Sequence, residues 1–117
     1  MMLKEYAPQL FSTGAFTFKN CFGAVAGYID GKIFVSCGNF GLALKLPENT
    51  LQDLFKNKGA KPLRYFPKGH IKKDYAVIPE VIVGNREFRN KLIGQSIKFA
   101  ESEGLEYQNP ASPETFE

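Results

Sequence analysis

The stretch CFGAVAGYIDGKIFV, from Cys21 to Val35, constrains this chain more than any other. It sets Asp30-Gly31 between two apolar runs, Ala24 to Ile29 and Lys32 to Cys37. A type I′ turn needs positive φ at both central residues, so Asp-Gly in that setting predicts a hairpin. Upstream, Phe16, Phe18, Asn20 and Phe22 alternate with Thr17, Lys19 and Cys21, the period-two pattern of a half-buried strand. Downstream, Gly38-Asn39 offers a second tight turn, and FGLALKL follows with Phe40, Leu42, Leu44 and Leu46 on one face. Four strands joined by short turns form an antiparallel meander. The same glycines exclude a phosphate cradle. A cradle needs a strand, a Gly-rich turn and then a helix, whereas Gly23, Gly27 and Gly31 are followed by the strand-like Ile33 to Val35. Gly23 and Gly27 instead mark bulges or close backbone approaches.

Helical patterns flank the meander. Leu3, Tyr6, Ala7, Leu10 and Phe11 recur at helical spacing, with Pro8 breaking the run. PENTLQDLFKNKG reads as a helix capped by Asn49, with Gln52 completing a capping box and Gly59 ending it. Leu51, Leu54 and Phe55 form its buried stripe. A short strand is expected over Leu63 to Phe66, and DYAVIPEVIV reads as a strand ended at Pro79 or just after it. Gly84-Asn85 opens a last helix over about 86 to 103, lined by Phe88, Leu92, Ile93, Ile97 and Ala100 and stopped by Gly104. The expected organisation is one domain over 1–104 and an acidic, mobile tail over 105–117.

Composition narrows the class. A chain of 117 residues with 44% hydrophobic and 23% charged residues builds one globular core and not two. No apolar run is long enough to span a membrane, and the start, MMLKEYAPQLF, is not a signal peptide. A cytoplasmic protein is expected, with Cys21 and Cys37 as buried thiols. The alternative places the two cysteines on neighbouring strands, where they could be oxidised together.

Charge is uneven. Residues 54–73 hold seven bases and no acid: Lys56, Lys58, Lys61, Arg64, Lys68, Lys72 and Lys73. Interleaved with Tyr65 and Phe66, they could contact phosphates and stack on bases, giving sequence-independent nucleic-acid binding. The ordinary reading is a solvated helix face and loop. Residues 74–117 carry eight acids against four bases, so the tail could fold back on the basic stretch.

Phe22, Gly23, Asp30, Gly31, Lys32 and Phe34, in that order and spacing, resemble the signature of the TfoX N-terminal domain family, related to the Sxy competence regulators. Cys21 and Ala24 replace the family's usual Met and second Gly. The likeness continues through LALKL (Leu42 to Leu46), GAKPLRYFPKGHIKKDYAVIPE (Gly59 to Glu80) and SIKFA (Ser96 to Ala100), covering about residues 15 to 101. A weaker likeness is to the MmcQ/YjbR-like family. The resemblance implies a two-layer α+β fold of the secretion-chaperone-like kind, an antiparallel sheet with helices packed on one face. In full-length regulators this domain precedes a C-terminal helical domain, so a stand-alone copy is expected here. It also implies a regulatory or interaction module linked to transcription or competence.

No motif assembles a reaction. His70 lies in KGHIKK, where the nearby sequence offers only lysines and Asp74 and no nucleophile, and the ordinary reading is an exposed loop histidine. Asp30, Glu48 and Asp53 have turn and helix roles, and Ser36, Ser96 and Ser102 sit in no nucleophile motif. One histidine and two cysteines do not have metal-ligand spacing, and no cofactor is implied. The expectation is therefore a non-enzymatic module that binds another protein or itself. The simplest form is a symmetric homodimer through the sheet or its edge, if some of Phe16, Phe18, Phe22 and Phe40 face outward. Nucleic-acid binding through 56–73 is the alternative, and an enzyme of unrecognised type the third.

Overall fold

The computed structural model describes residues 3–21, 23–64 and 68–108. Helix α1 (Leu3–Tyr6) and a 3-10 turn (Pro8–Phe11) lead into strands β1 (Phe16–Cys21), β2 (Ala24–Ile29), β3 (Lys32–Gly38) and β4 (Gly41–Lys45). Helix α2 (Glu48–Asn57), β5 (Lys61–Leu63), β6 (Lys72–Val77), α3 (Glu80–Val83) and α4 (Arg86–Gln108) follow. The six strands form one antiparallel sheet in the order β1-β2-β3-β4-β6-β5. The meander is the expected one. After β4 the chain crosses by α2 to the far edge, lays down β5, and returns as β6 in the gap.

The turn at Asp30-Gly31 has φ of 51° and 77°, as the type I′ geometry demands, and it pairs Ile29 with Lys32. The next turn lies one residue later than expected. Gly38 belongs to β3 and pairs with Gly41, leaving Asn39 and Phe40 as the loop. Phe40 accordingly leaves the leucine face. Leu42, Leu44 and Leu46 join a cluster with Leu10, Leu51, Leu54, Ile82, Leu92 and Ile93, whereas Phe40 packs on a smaller one around Ala43, Leu63 and Tyr75. The helices thus cover one face of the sheet in a two-layer α+β fold.

The β2–β3 pairing slips by one residue. Gly27 faces Val35 and Tyr28 faces Ile33, so Phe34 is the extra residue of a β-bulge. The bulge turns both Phe34 and Val35 into the main cluster, and both are fully buried. It requires Gly27 opposite, where a Cβ would lie 2.7 Å from Val35 Cγ1 and 3.2 Å from the Phe18 ring. A bulged residue sits outside the regular ladder, and the buried Ser96 hydroxyl of α4 donates to the Phe34 carbonyl at 2.5 Å.

Four helix expectations are corrected. Helix α2 begins at Glu48, after Pro47 in extended conformation; Asn49 lies inside it and accepts only the Thr50 N–H (2.9 Å). Gln52 bonds Glu48 rather than closing a capping box. EVIV is helix α3, not the end of a strand. Pro79 suits a helix entry, and the helical turn sends Ile82 and Val83 into the core while Val81 stays 78% exposed. Helix α4 opens as expected, with Asn85 Oδ1 accepting the Phe88 N–H at 3.1 Å, but it passes through Gly104 to Gln108. One interior glycine costs about 1 kcal/mol, which good helix formers around it offset. A Lys45–Glu103 ion pair of 2.8 Å holds this part of the helix to β4. The broken N-terminal helix and the helix end at Gly59 are as read.

The strands at the far edge differ too. β5 covers Lys61–Leu63, earlier than Leu63 to Phe66, and β6 starts at Lys72. Of the tail expected over 105–117, residues 105–108 continue α4 instead, and the rest, like residues 65–67, lies outside the described residues.

Replacing Ser96 with Ala strands the Phe34 carbonyl. The expected loss is about 1–3 kcal/mol in urea unfolding. Gly27→Ala forces Val35 and Phe18 apart, and a loss of about 1–3 kcal/mol is expected in the same assay.

Candidate functional site

The seven cations of the basic stretch are all exposed, but the fold distributes them over several surfaces. Lys56 and Lys58 sit at the end of α2, Lys61 on β5, Arg64 just after it, Lys68 in the connection, and Lys72 and Lys73 at the start of β6. Because Leu63 pairs with Lys72, Arg64 and Lys72 lie near each other at one end of the β5–β6 ribbon, and Lys61, paired with Val77, lies at the other. Arg64 Nη1 donates to the Gly69 carbonyl at 3.1 Å and closes its own loop.

Lys58 looks elsewhere. It borders a groove of about 420 Å³ between α2 and α4, together with Asp53, Leu54, Phe88 and Lys91. Lys61 borders a recess of about 320 Å³ with Phe40, Val77, Pro79 and Glu80. Asp53, just before the acid-free stretch, and Glu80, after it, line the same two recesses and offset part of its positive field. Tyr65 and Phe66, the rings expected to stack on bases, lie outside the described residues. His70 is exposed.

The family-motif residues have structural positions. Gly23 closes the β1–β2 turn at φ +79°, Asp30 and Gly31 make the type I′ turn, Lys32 opens β3, and Phe34 is the buried bulge. Phe22 lies outside the described residues. The serines are equally occupied. Ser96 is tied to Phe34, Ser102 Oγ donates to the Phe99 carbonyl at 3.0 Å, and Ser36 is fully buried. Asp53 accepts from the Asn57 amide at 2.8 Å. Among the described residues, no three His, Cys, Asp or Glu side chains come together to hold a metal ion.

Cys21 and Cys37 are not on neighbouring strands, since β2 separates β1 from β3. Joint oxidation as adjacent cross-strand thiols is therefore overturned. Cys37 is buried, and burial pushes its thiol above the ordinary cysteine range.

The surface that sequence reasoning located only loosely is the β1 edge. In the strand order β1 is outermost, with no neighbouring strand on its outer side among the described residues. Register decides which groups point outward. Antiparallel partners alternate between hydrogen-bonded and non-bonded pairs, and a two-residue loop closes on a bonded pair. Cys21 pairs with Ala24 across the β1–β2 loop, so Cys21, Lys19 and Thr17 direct their backbone groups at β2. Phe16, Phe18 and Asn20 direct theirs outward.

Aromatic rings border this edge. Phe16 and Phe18 are half-buried against the main cluster, and Phe11, 38% exposed, stacks on Phe18 at 4.2 Å and 11°. On the other face Lys19 Nζ lies over the Tyr28 ring, 5.3 Å from its centroid, folded back onto β2. Phe11 carried a signal only as part of a helical pattern; its exposure depends on where the 3-10 turn lands. The opposite edge, β5, is short, carries Lys61, and has Pro62 in its middle. Those are the usual means of blunting an edge.

Fold and surface together define a small, two-layer α+β domain with one blunted and one open sheet edge. Residues 8–100 match the model of the TfoX N-terminal domain, and the chain belongs to that family. No curated protein and no solved structure matches the chain. No described helix is long and apolar enough to cross a membrane.

A test of the burial of Cys37 follows. Iodoacetamide on native protein at mild alkaline pH should leave Cys37 unlabelled, with labelling appearing only in denaturant, as read by peptide mass spectrometry. Rapid native labelling of Cys37 would contradict the packing.

Proposed function

We propose that this TfoX N-terminal domain is a non-enzymatic regulatory module of the cytoplasm that works by binding protein through the open edge of β1. The observation that carries the reading is the outward row of backbone groups at Phe16, Phe18 and Asn20, bordered by the exposed Phe11 stacked on half-buried Phe18. Unpaired strand edges recruit other strands through main-chain hydrogen bonds, and nearby apolar side chains add affinity. The family's link to competence regulators makes transcription the process such a module would serve.

Asn20→Pro is the natural probe. Asn20 is exposed, its N–H points away from β2, and proline is tolerated on the outer side of an edge strand. Wild-type and Asn20→Pro protein, each confirmed folded by circular dichroism, serve as baits in host lysate. Proteins held by the wild type and lost from the variant support the reading; identical sets contradict it.

A second reading has its own observation, the exposed Lys61, Arg64, Lys68 and Lys72 along the β5–β6 ribbon. If these contact phosphates, duplex DNA should bind with an affinity that falls steeply with salt and vanishes in Lys61→Glu/Lys68→Glu/Lys72→Glu. Fluorescence anisotropy at several salt concentrations reads this directly.

A further inference from the structure

Resting on the proposed role of the β1 edge, we propose that its occupant is a second copy of this chain. The two β1 strands would pair antiparallel about a two-fold axis through Phe18.

Self-pairing demands a strand complementary to its own reverse, since a two-fold interface sets each residue against its mirror position. β1 meets that demand in one register. With Phe18 opposite the other copy's Phe18, each Phe16 faces an Asn20, and these are the residues whose backbone groups point outward. Every outward N–H and C=O in the strand then finds a partner. The intervening positions set Thr17 opposite Lys19 on both sides of the axis. No lysine faces a lysine, whereas a register centred on Lys19 would oppose like charges, which is destabilising. Lys19 does not obstruct the approach, because its ammonium lies back over Tyr28.

Side-chain packing favours the same register. Phe18 packs on the helix-covered face, where Phe11 stacks on it. The two-fold brings two such stacks together over the joint. It covers Phe11, one of the large apolar side chains left exposed, and merges two six-stranded sheets into one continuous sheet. The blunted β5 edges are left at the outer ends, so the assembly closes as a dimer and does not grow. A partner of different sequence would need an aromatic at the right position; the second copy supplies it by symmetry.

Sedimentation equilibrium on the full chain, from low micromolar up to about 0.5 mM, tests the inference by mass action. The expected result is a concentration-dependent dimer whose Kd weakens at least about tenfold in Asn20→Pro. The register is tested by charge. Thr17→Glu sets a carboxylate opposite Lys19 twice per dimer and should tighten Kd about two- to thirtyfold. Thr17→Lys should weaken it by a similar factor, and Thr17→Lys/Lys19→Glu should restore it. Each variant is checked for an unchanged melting temperature.

A wild type that stays monomeric throughout overturns the inference. So does a dimer indifferent to Asn20→Pro, or one in which Thr17→Glu and Thr17→Lys shift Kd in the same direction. Failure here is separable from failure of the broader role. A monomer whose lysate partners depend on Asn20 removes self-pairing and keeps the edge as a protein-binding site, whereas lysate partners indifferent to Asn20 argue against the edge itself.

Discussion

One buried hydrogen bond, from the Ser96 hydroxyl to the Phe34 carbonyl, joins the two layers at the point where the sheet departs from regularity. Without the bulge, alternation would send Phe34 and Val35 to opposite faces; with it, both enter the core. The bulge leaves a carbonyl that the ladder does not serve, and a buried orphan acceptor is costly. Helix α4 supplies the donor from the middle of its apolar face, so its rotation and height above β3 are set by a polar contact as well as by packing. Gly27 completes the arrangement from β2, giving up a side chain so that Val35 and Phe18 can close over it.

That constraint reaches the edge of the sheet. The space over Gly27 is where the Phe18 ring settles, and the ring in turn receives Phe11 from the 3-10 turn. Phe16 leans on Phe34 itself, with ring centroids 5.4 Å apart. The outermost strand is therefore held by aromatic contacts to the bulge and its surroundings and by the β2 ladder. Among the described residues no strand pairs with its outer side. The far edge was made differently. There the chain spends proline and lysine on a three-residue strand, which discourages pairing.

How much of this was legible follows from where each signal resides. The Asp30-Gly31 turn was readable because left-handed backbone at two successive positions is a local demand that few residue pairs meet. The leucines of β4 and the apolar face of α4 were readable from periodicity. EVIV was not, because a run of β-branched residues after a proline suits strand and helix alike, and only burial of Ile82 and Val83 decides. Ser96 was unreadable as a structural residue, since a serine among Leu92, Ile93 and Ala100 looks like an interruption until its acceptor 62 positions away is known. The basic stretch shows how proximity in sequence differs from proximity in space. Its seven cations fall within residues 54–73, but the turn at Gly59 and the return of β6 divide them, and Asp53 and Glu80 line the two recesses that Lys58 and Lys61 border. The open edge depends on strand order, which no local pattern encodes.

Residue-resolved hydrogen exchange along β1 tests the central claim most directly. In dilute protein the amides of Thr17, Lys19 and Cys21, bonded to β2, should be protected, while those of Phe16, Phe18 and Asn20 exchange freely. Raising the protein concentration should bring protection to Phe16, Phe18 and Asn20 together, at the concentration where the dimer forms. If those three amides stay unprotected at every concentration while the dimer accumulates, the copies meet elsewhere, and the account of the β1 edge is wrong.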